Sequence, residues 1–273
     1  MKLKILRQEI LKPEYFAVVA LLTLAASSAR ADDWRKQWTV GPQPSVRVDT
    51  NDASVDIEAV ESAQVEAHVT TKGWSIGDSG VRVIEHQSSN HLDLEVKIPN
   101  SNLGWGHGER SVHVQLRVPR QASTEVRTGD GGIHVSHLHG PIRLNTGDGS
   151  IEGEDLDGTL DARTGDGHVR VSGRFDAVSL HTNDGSVELD AQRGSKMGSD
   201  WRVQTGDGHV TLRLPSDFAA NLDAHTGDGR IETNIPITMQ GSASENQVQG
   251  KINGGGMNLI VRTGDGGVRI DRL

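Results

Sequence analysis

The feature that most constrains this chain is a four-residue sequence that returns at a nearly fixed spacing. It reads Thr-Gly-Asp-Gly in six copies and Thr-Asn-Asp-Gly in one. The copies are Thr128-Gly129-Asp130-Gly131, Thr146-Gly147-Asp148-Gly149, Thr164-Gly165-Asp166-Gly167, Thr182-Asn183-Asp184-Gly185, Thr205-Gly206-Asp207-Gly208, Thr226-Gly227-Asp228-Gly229 and Thr263-Gly264-Asp265-Gly266. Successive threonines are 18, 18, 18, 23, 21 and 37 residues apart, and the last spacing is close to two units with one eroded copy in between. A repeat of this size predicts a stacked architecture.

The chemistry of the motif predicts a tight turn between two strands. Asp-Gly is a strong turn signal because glycine adopts positive φ without steric cost and aspartate tolerates it. We therefore expect positive φ at Gly149 and Gly167, and Asn183 is another residue that tolerates it. The β-branched threonine suits the end of a strand. Counting by twos from the apolar residues places each threonine inward or at the edge of the core, stacked on the threonines of neighbouring units.

The segments on both sides of the motif alternate between apolar and polar residues, as in Leu160 and Ala162 before one copy and Val169 and Val171 after it. This period of two is typical of half-buried strands. A second glycine follows the first motif glycine by eleven residues in the early units, at Gly140 and Gly158. Each unit should therefore contain two short strands and two turns, and the fold class should be all-β: a β-helix-like β-solenoid of stacked repeats of about 18–23 residues.

Residues 1–31 carry the pattern of an export signal. Lys2, Lys4 and Arg7 precede an apolar run over residues 16–26, and Ala29 and Ala31 form a small-x-small cleavage pattern. The run is too short to span a bilayer comfortably, so we expect cleavage after Ala31. The protein should then be exported, and periplasmic, cell-surface or secreted locations all remain open.

The rest of the chain divides by its patterning. Residues 32–45 are a polar lead-in, and residues 46–273 are predicted to form a single β-repeat domain. Within it, residues 46–118 are degenerate starting units, and residues 119–273 carry the full motif. The stretch Thr50-Asn51-Asp52-Ala53 is a worn copy of the motif. Terminal repeats of stacked proteins are commonly atypical in this way.

Charge and cysteine content exclude several classes of protein. The chain has a formal net charge of −9 and no cysteine. Acidity of this kind disfavours binding to nucleic acid or to an anionic lipid surface. Disulfides and a lipid-modified cysteine are excluded, and no second apolar stretch reaches the length of a transmembrane anchor.

The motif aspartates should form a column, and two interpretations of it are open. One is a calcium ladder, and the other, which we favour, is a set of turn residues chosen for backbone geometry. Calcium requires six or more oxygen ligands, whereas each unit supplies one motif aspartate. Arg127, Arg163, Arg262 and Arg230 flank copies of the motif and are expected to relieve repulsion along the column. We therefore predict no metal site and no cofactor.

Two further groups of residues have possible chemistry. His134, His137 and His139 lie close together in sequence. Weak metal binding there is conceivable, although a zinc site needs three or four convergent ligands, and exposed positions on strands explain the histidines as well. Trp105, in the loop at residues 100–110, could stack on a sugar or cover the end of the core. We identify no catalytic residue.

The order of these motifs resembles the bacterial putative-adhesin family of β-strand repeats. The resemblance rests on Val118-Pro119-Arg120 before the first full motif, the returning Thr-Gly-Asp-Gly units, Leu214-Pro215, and the final copy at residues 263–266. It covers roughly residues 46–270. It implies a β-helix-like fold, an envelope or surface location, and no catalytic residues.

The sequence thus predicts a non-enzymatic exported β-repeat protein that is an adhesin or a structural module of the bacterial cell envelope. The alternative is a carbohydrate-active β-helix enzyme or a glycan-binding protein. The expected partner is an envelope or surface ligand, either a glycan or a protein.

Overall fold

The fold is all-β. The computed structural model describes residues 31–99, 110–239 and 244–273, and this part of the chain contains strands and no helix. Residues 1–30 of the expected export signal and the loop with Trp105 lie outside the described residues. The strands are β1 Ala31–Thr39, β2 Ser45–Thr50, β3 Ser54–Val60, β4 Gln64–Lys72, β5 Arg82–Ser88, β6 His91–Lys97, β7 Ser111–Pro119, β8 Ser123–Arg127, β9 Ile133–Ser136, β10 His139–Asn145, β11 Ile151–Arg163, β12 Val169–His181, β13 Val187–Ala191, β14 Trp201–Gln204, β15 Val210–Leu214, β16 Ala220–Thr226, β17 Ile231–Thr233, β18 Ile237–Met239, β19 Gln247–Ile252, β20 Asn258–Thr263 and β21 Val268–Arg272.

The strands that follow the motifs pair with one another in one ladder, called the post-motif ladder. The strands that precede the motifs pair in a second, called the pre-motif ladder. The post-motif ladder runs β1-β4-β7-β3-β9-β11-β12-β13-β15-β21-β17. The pre-motif ladder runs β5-β6-β2-β8-β10-β11-β12-β14-β20-β16-β19-β18. The long strands β11 and β12 belong to both ladders, the first part of each strand to the post-motif ladder and the second part to the pre-motif ladder.

Parallel pairing joins residues that occupy the same position in successive units. Ile151 pairs with Ile133 on one side and with Val169 on the other, so the early register equals the repeat length of 18. Alternate residues are buried along the ladders except in their end strands β1, β5, β17 and β18, which places one continuous apolar core on the inner faces. The core is mainly Val, Ile, Leu and Ala. It includes an aromatic group in which the Trp201 ring lies 6.4 Å from Phe175 and 4.9 Å from Phe218.

In β11 and β12 the second turn of the unit is a bend within the strand rather than a separate turn, whereas the first full unit keeps two strands, β9 and β10. Strand β11 passes through it without a break, and its register shifts after Gly153 and after Gly158. The bend requires left-handed backbone, with φ of 136° at Gly140 and 130° at Gly158. The expected pair of short strands is therefore replaced by one long, kinked strand in β11 and β12.

The units near the C-terminus do not stack in chain order. The unit β20–β21, which carries the last motif, lies between β14–β15 and β16–β17. The segment between the last two motifs forms β18 and β19, which pair antiparallel beside β16. The expected eroded copy in this segment is therefore wrong: the 37-residue spacing is filled by an antiparallel hairpin at the end of the pre-motif ladder.

A similar exchange of order occurs at the N-terminal end. The unit β2–β3 lies between β6–β7 and β8–β9. Residues 32–39, expected as part of a polar lead-in, belong to β1, which pairs antiparallel with β4. Trp38 is buried, and its ring lies 6.0 Å from that of Trp34.

Candidate functional site

The motif threonines form a buried column that joins neighbouring units. Each hydroxyl lies where it can donate to the carbonyl of the last motif residue of the adjacent unit, with Oγ1 to O distances of 2.8 Å from Thr146 to Gly131, 2.8 Å from Thr164 to Gly149 and 3.0 Å from Thr182 to Gly167. The same oxygen accepts the amide proton of the last glycine of its own motif, as between Gly167 N and Thr164 Oγ1 at 3.3 Å. All seven threonines are buried.

The column continues through the units that stack out of chain order. Thr263 donates to Gly208 at 2.9 Å, and Thr226 donates to Gly266 at 2.7 Å. At the other end, Thr128 donates to the carbonyl of Ala53 at 2.9 Å. The worn copy at residues 50–53 therefore lies in the unit next to the first full motif, in the position that a copy of the motif would occupy.

The motif glycines are required for a different reason from the one the sequence indicates. Neither Gly149 nor Gly167 has positive φ, and the same is true of Asn183, so the expectation of left-handed backbone at these residues is wrong. A Cβ at Gly149 would lie 2.1 Å from the carbonyl oxygen of Gly131, and one at Gly167 would lie 2.1 Å from that of Gly149. Glycine is needed because neighbouring units approach too closely for a side chain.

The motif aspartates are exposed along the edge of the stack. The flanking arginines, expected to relieve repulsion along this column, form their described ion pairs with other acidic residues. Arg127 contacts Glu125 at 2.6 Å, Arg163 contacts Asp161 at 3.1 Å, and Arg262 contacts Asp223. Arg230 lies 3.6 Å from Glu245. These arginines therefore neutralise acidic residues on strands and the β18–β19 connection.

The three histidines near residue 137 do not converge. His134 Nδ1 lies 3.8 Å from a Glu152 carboxylate oxygen, and His137 Nδ1 lies 3.0 Å from one of Asp155. His139 pairs in register with Asp157. Each histidine thus faces an acid 18 residues later, on the next unit. Within residues 31–99, 110–239 and 244–273, no three His, Asp or Glu side chains are close enough to hold a metal ion.

The outer face of the middle post-motif ladder is covered by its own ion pairs. Arg170 contacts Glu188 at 2.8 Å, and Arg213 contacts Glu188 at 2.5 Å and Asp190 at 2.7 Å. The hydrogen bond from Arg213, followed by that from Arg170, holds the pKa of the Glu188 carboxyl below its ordinary value. Arg174 does the same for the pKa of Asp157, which it contacts at 2.5 Å. The charged side chains on this face are therefore already paired with one another by hydrogen bonds and ion pairs.

The N-terminal part of the same ladder forms an open groove of about 920 Å³. We call it the β1–β9 groove, because β1, β4, β7, β3 and β9 form its floor. Its polar lining is Arg35, Lys36, Gln37, Asp56, Glu58, Glu66, His68, Gln115, Arg117, His134 and Ser136. Three formally positive side chains face three formally negative ones, and no Phe, Tyr or Trp side chain lines the surface. It therefore suits a polar ligand without strong net charge.

Several groove side chains are already paired, and two are free to contact a ligand. Arg117 lies 3.2 Å from Glu58, and Asp56 lies 3.1 Å from His113. Gln115 and Ser136 have no side-chain hydrogen bond to any other described residue. Sequence patterning did not identify this groove, because β1 and β4 add to the ladder antiparallel and carry no motif.

The threonine column yields a test of the motif. We expect Thr164→Val to lower the free energy of unfolding by about 1–3 kcal/mol, because it leaves the Gly149 carbonyl and the Gly167 amide without their partner. Thr164→Ser keeps the hydroxyl and should cost clearly less. Urea unfolding of both variants measures the difference, and equal midpoints would show that the hydroxyl does not join the units.

The fold and this surface define a β-repeat protein whose recurring motif builds the stack. Residues 45–197, more than half of the chain, match the model of the Toastrack DUF4097 family, and the chain belongs to that family. The match confirms the family resemblance seen in the motifs. No curated protein matches the chain with significant similarity.

Three solved structures of bacterial proteins are similar to this chain at low sequence identity. A putative cell adhesion protein from Clostridium sporogenes is 14% identical, with a TM-score of 0.42 over 88% of this chain and 100% of that one. A putative adhesin from Bacteroides fragilis is 12% identical, with a TM-score of 0.45 over 87% and 96%. A putative lipid binding protein from Parabacteroides distasonis is 11% identical, with a TM-score of 0.43 over 89% and 98%.

Proposed function

We propose that this protein is an exported, non-enzymatic β-solenoid that serves as an adhesive or structural module of the bacterial cell envelope. The repeats are the stacked units of about 18–23 residues described above, and they form one domain over residues 46–273, extended by β1. The observation that carries the proposal is that different residues form the contacts between units and the open polar groove. The motif residues form contacts between units, and the β1–β9 groove offers free polar groups.

The chemistry of the groove favours a polar surface ligand, and a neutral glycan fits it best. Its arginines and lysine donate hydrogen bonds, its carboxylates accept them, and Gln115 and Ser136 do both. A polyhydroxylated ligand matches such a mixture, whereas a nucleic acid or an anionic lipid would meet the three carboxylates. No described helix is long and apolar enough to cross a membrane.

Binding can be tested with two matched variants. The chain without residues 1–31 is used to capture glycans and envelope fractions, first as it stands and then with Ser136→Arg in the groove. Ser172→Arg, on β12 outside the groove, places the same charge and volume on the same ladder. We expect Ser136→Arg to abolish capture and Ser172→Arg to leave it unchanged. Capture that both variants retain, or no capture by the unaltered chain, would contradict the proposal.

Export has a direct test of its own. We expect the N-terminal residue of the protein in its producing cell to be Asp32, because residues 29 and 31 match a signal-peptidase site. Cleavage there keeps the Asp32 carboxylate, which accepts a hydrogen bond from the Ile76 amide at 2.9 Å. N-terminal sequencing decides the question, and a mature chain that begins at Met1 would overturn it.

A further inference from the structure

The C-terminal unit, residues 258–273, fills a gap between two units that precede it in the chain. The two units follow one another in the chain, since β15 ends at Leu214 and β16 begins at Ala220. Their pre-motif strands, β14 and β16, are nevertheless not neighbours in the pre-motif ladder. Strand β20 lies between them, and β21 lies between β15 and β17 in the other ladder. Without the C-terminal unit, four strands would each present an unpaired edge, which is a template for pairing with another chain.

The walls of this gap fit the C-terminal unit through specific contacts on both sides. On the β14–β15 side, Asp200 accepts hydrogen bonds from the Asn258 amide at 2.9 Å and from its side chain at 3.1 Å. On the β16–β17 side, Arg262 donates to the Asp223 carbonyl at 2.7 Å and contacts its carboxylate. The inserted side chains of Leu259, Val261, Val268 and Ile270 are buried.

The segment that leads into the gap has the composition of a hinge. Residues 253–257 read Asn-Gly-Gly-Gly-Met, and φ is 45° at Asn253, 86° at Gly254 and 90° at Gly255. Five residues can reach about 17 Å when extended.

We propose that the gap between β14–β15 and β16–β17 also binds the C-terminal unit of a second copy of this chain, giving a dimer by reciprocal exchange of residues 258–273. Exchange keeps every contact of the inserted unit and changes only the hinge, so its free-energy cost is small. A second copy is the partner that fits, because only its C-terminal unit reproduces Asn258 opposite Asp200 and Arg262 opposite Asp223. The dimer would place two β1–β9 grooves on one particle.

Thiol cross-linking can detect the exchange, since the chain has no cysteine. Arg202 on β14 is in register with Ile260 on one side and with Ser179 on the other. Arg202→Cys and Ile260→Cys are made in separate chains, which are unfolded together, refolded at rising concentration and oxidised. We expect a disulfide-linked heterodimer, since exchange brings the two positions together across chains.

The control replaces Ile260→Cys by Ser179→Cys. Ser179 lies on β12, which is outside residues 258–273 and is not exchanged in the proposed dimer. The heterodimer should exceed this control about tenfold or more, as expected for positioned thiols against random collision. Placing Arg202→Cys and Ile260→Cys in one chain, refolded at low concentration where exchange is negligible, should give an internal disulfide and a monomer, which verifies that the variants fold. Thr211→Cys with Arg269→Cys repeats the test in the other ladder. A yield no higher than the control in both ladders would overturn the proposal.

Discussion

Gly149→Val is expected to lower the free energy of unfolding by about 3 kcal/mol, at the upper end of the cost of overpacking a tightly packed site. The added Cβ would lie 2.1 Å from the Gly131 oxygen, 2.5 Å from its carbon and 2.9 Å from the Gly132 nitrogen. These are backbone atoms of the neighbouring unit, and they cannot move away without disturbing the threonine column. Ser150→Val, at the next residue, should change the free energy by less than about 1 kcal/mol.

Gly149→Asn separates the steric cause from a conformational one. If the turn needed positive φ, asparagine would be tolerated almost as well as glycine. Because the clash occurs at Cβ, we expect Asn and Ala to be nearly as destabilising as Val. Urea unfolding of the three variants measures this, and a mild effect of Asn alone would restore the conformational explanation.

Val178→Asp is expected to cost about 4 kcal/mol or more, enough to unfold much of the protein at ambient temperature. Val178 on β12 is buried between the two ladders and pairs in register with Leu160. A carboxylate there would lose its hydration and meet no cation. It would therefore either remain unpaired or become protonated.

Ser179→Asp is the matched control, because the next residue of the strand points to the opposite face. Ser179 lies in register with Arg202 on one side and with Asp161 on the other, so an acid there gains a cation that offsets the repulsion from Asp161. We expect its unfolding midpoint to stay close to that of the unaltered chain. Equal losses at 178 and 179 would mean that the two faces of β12 have been misassigned.

The sequence predicts the local features of this fold better than the arrangement of its units. Alternation around the motif placed Val169 and Leu160 in the core and the threonines at its edge, because side-chain period and burial are local properties. It could not give the order of the units. Parallel units with the same pattern present equivalent edges, so nothing in the pattern shows that Thr263 stacks between Thr205 and Thr226.

The reason for the motif glycines was also hidden from the sequence. Asp-Gly signals a turn, whereas the limit on Gly149 comes from the Gly131 carbonyl of another unit. The ion pairs on the outer faces did leave a signal. His134 and Glu152, His137 and Asp155, and Arg170 and Glu188 are each separated by the repeat length of 18, and comparing positions one repeat apart would have found them.

The most direct test of whether the motif serves the fold alone is thermal unfolding in excess chelator and in millimolar calcium. The motif aspartates are exposed, on units about 4.8 Å apart. At that distance in water-like surroundings, neighbouring carboxylates repel by less than about 1 kcal/mol, which the fold tolerates without a metal. We therefore expect the same midpoint in both solutions. Specific binding of calcium would raise the midpoint by several degrees through linkage. Such a rise, lost in the double variant Asp148→Asn/Asp166→Asn, would contradict a purely structural motif.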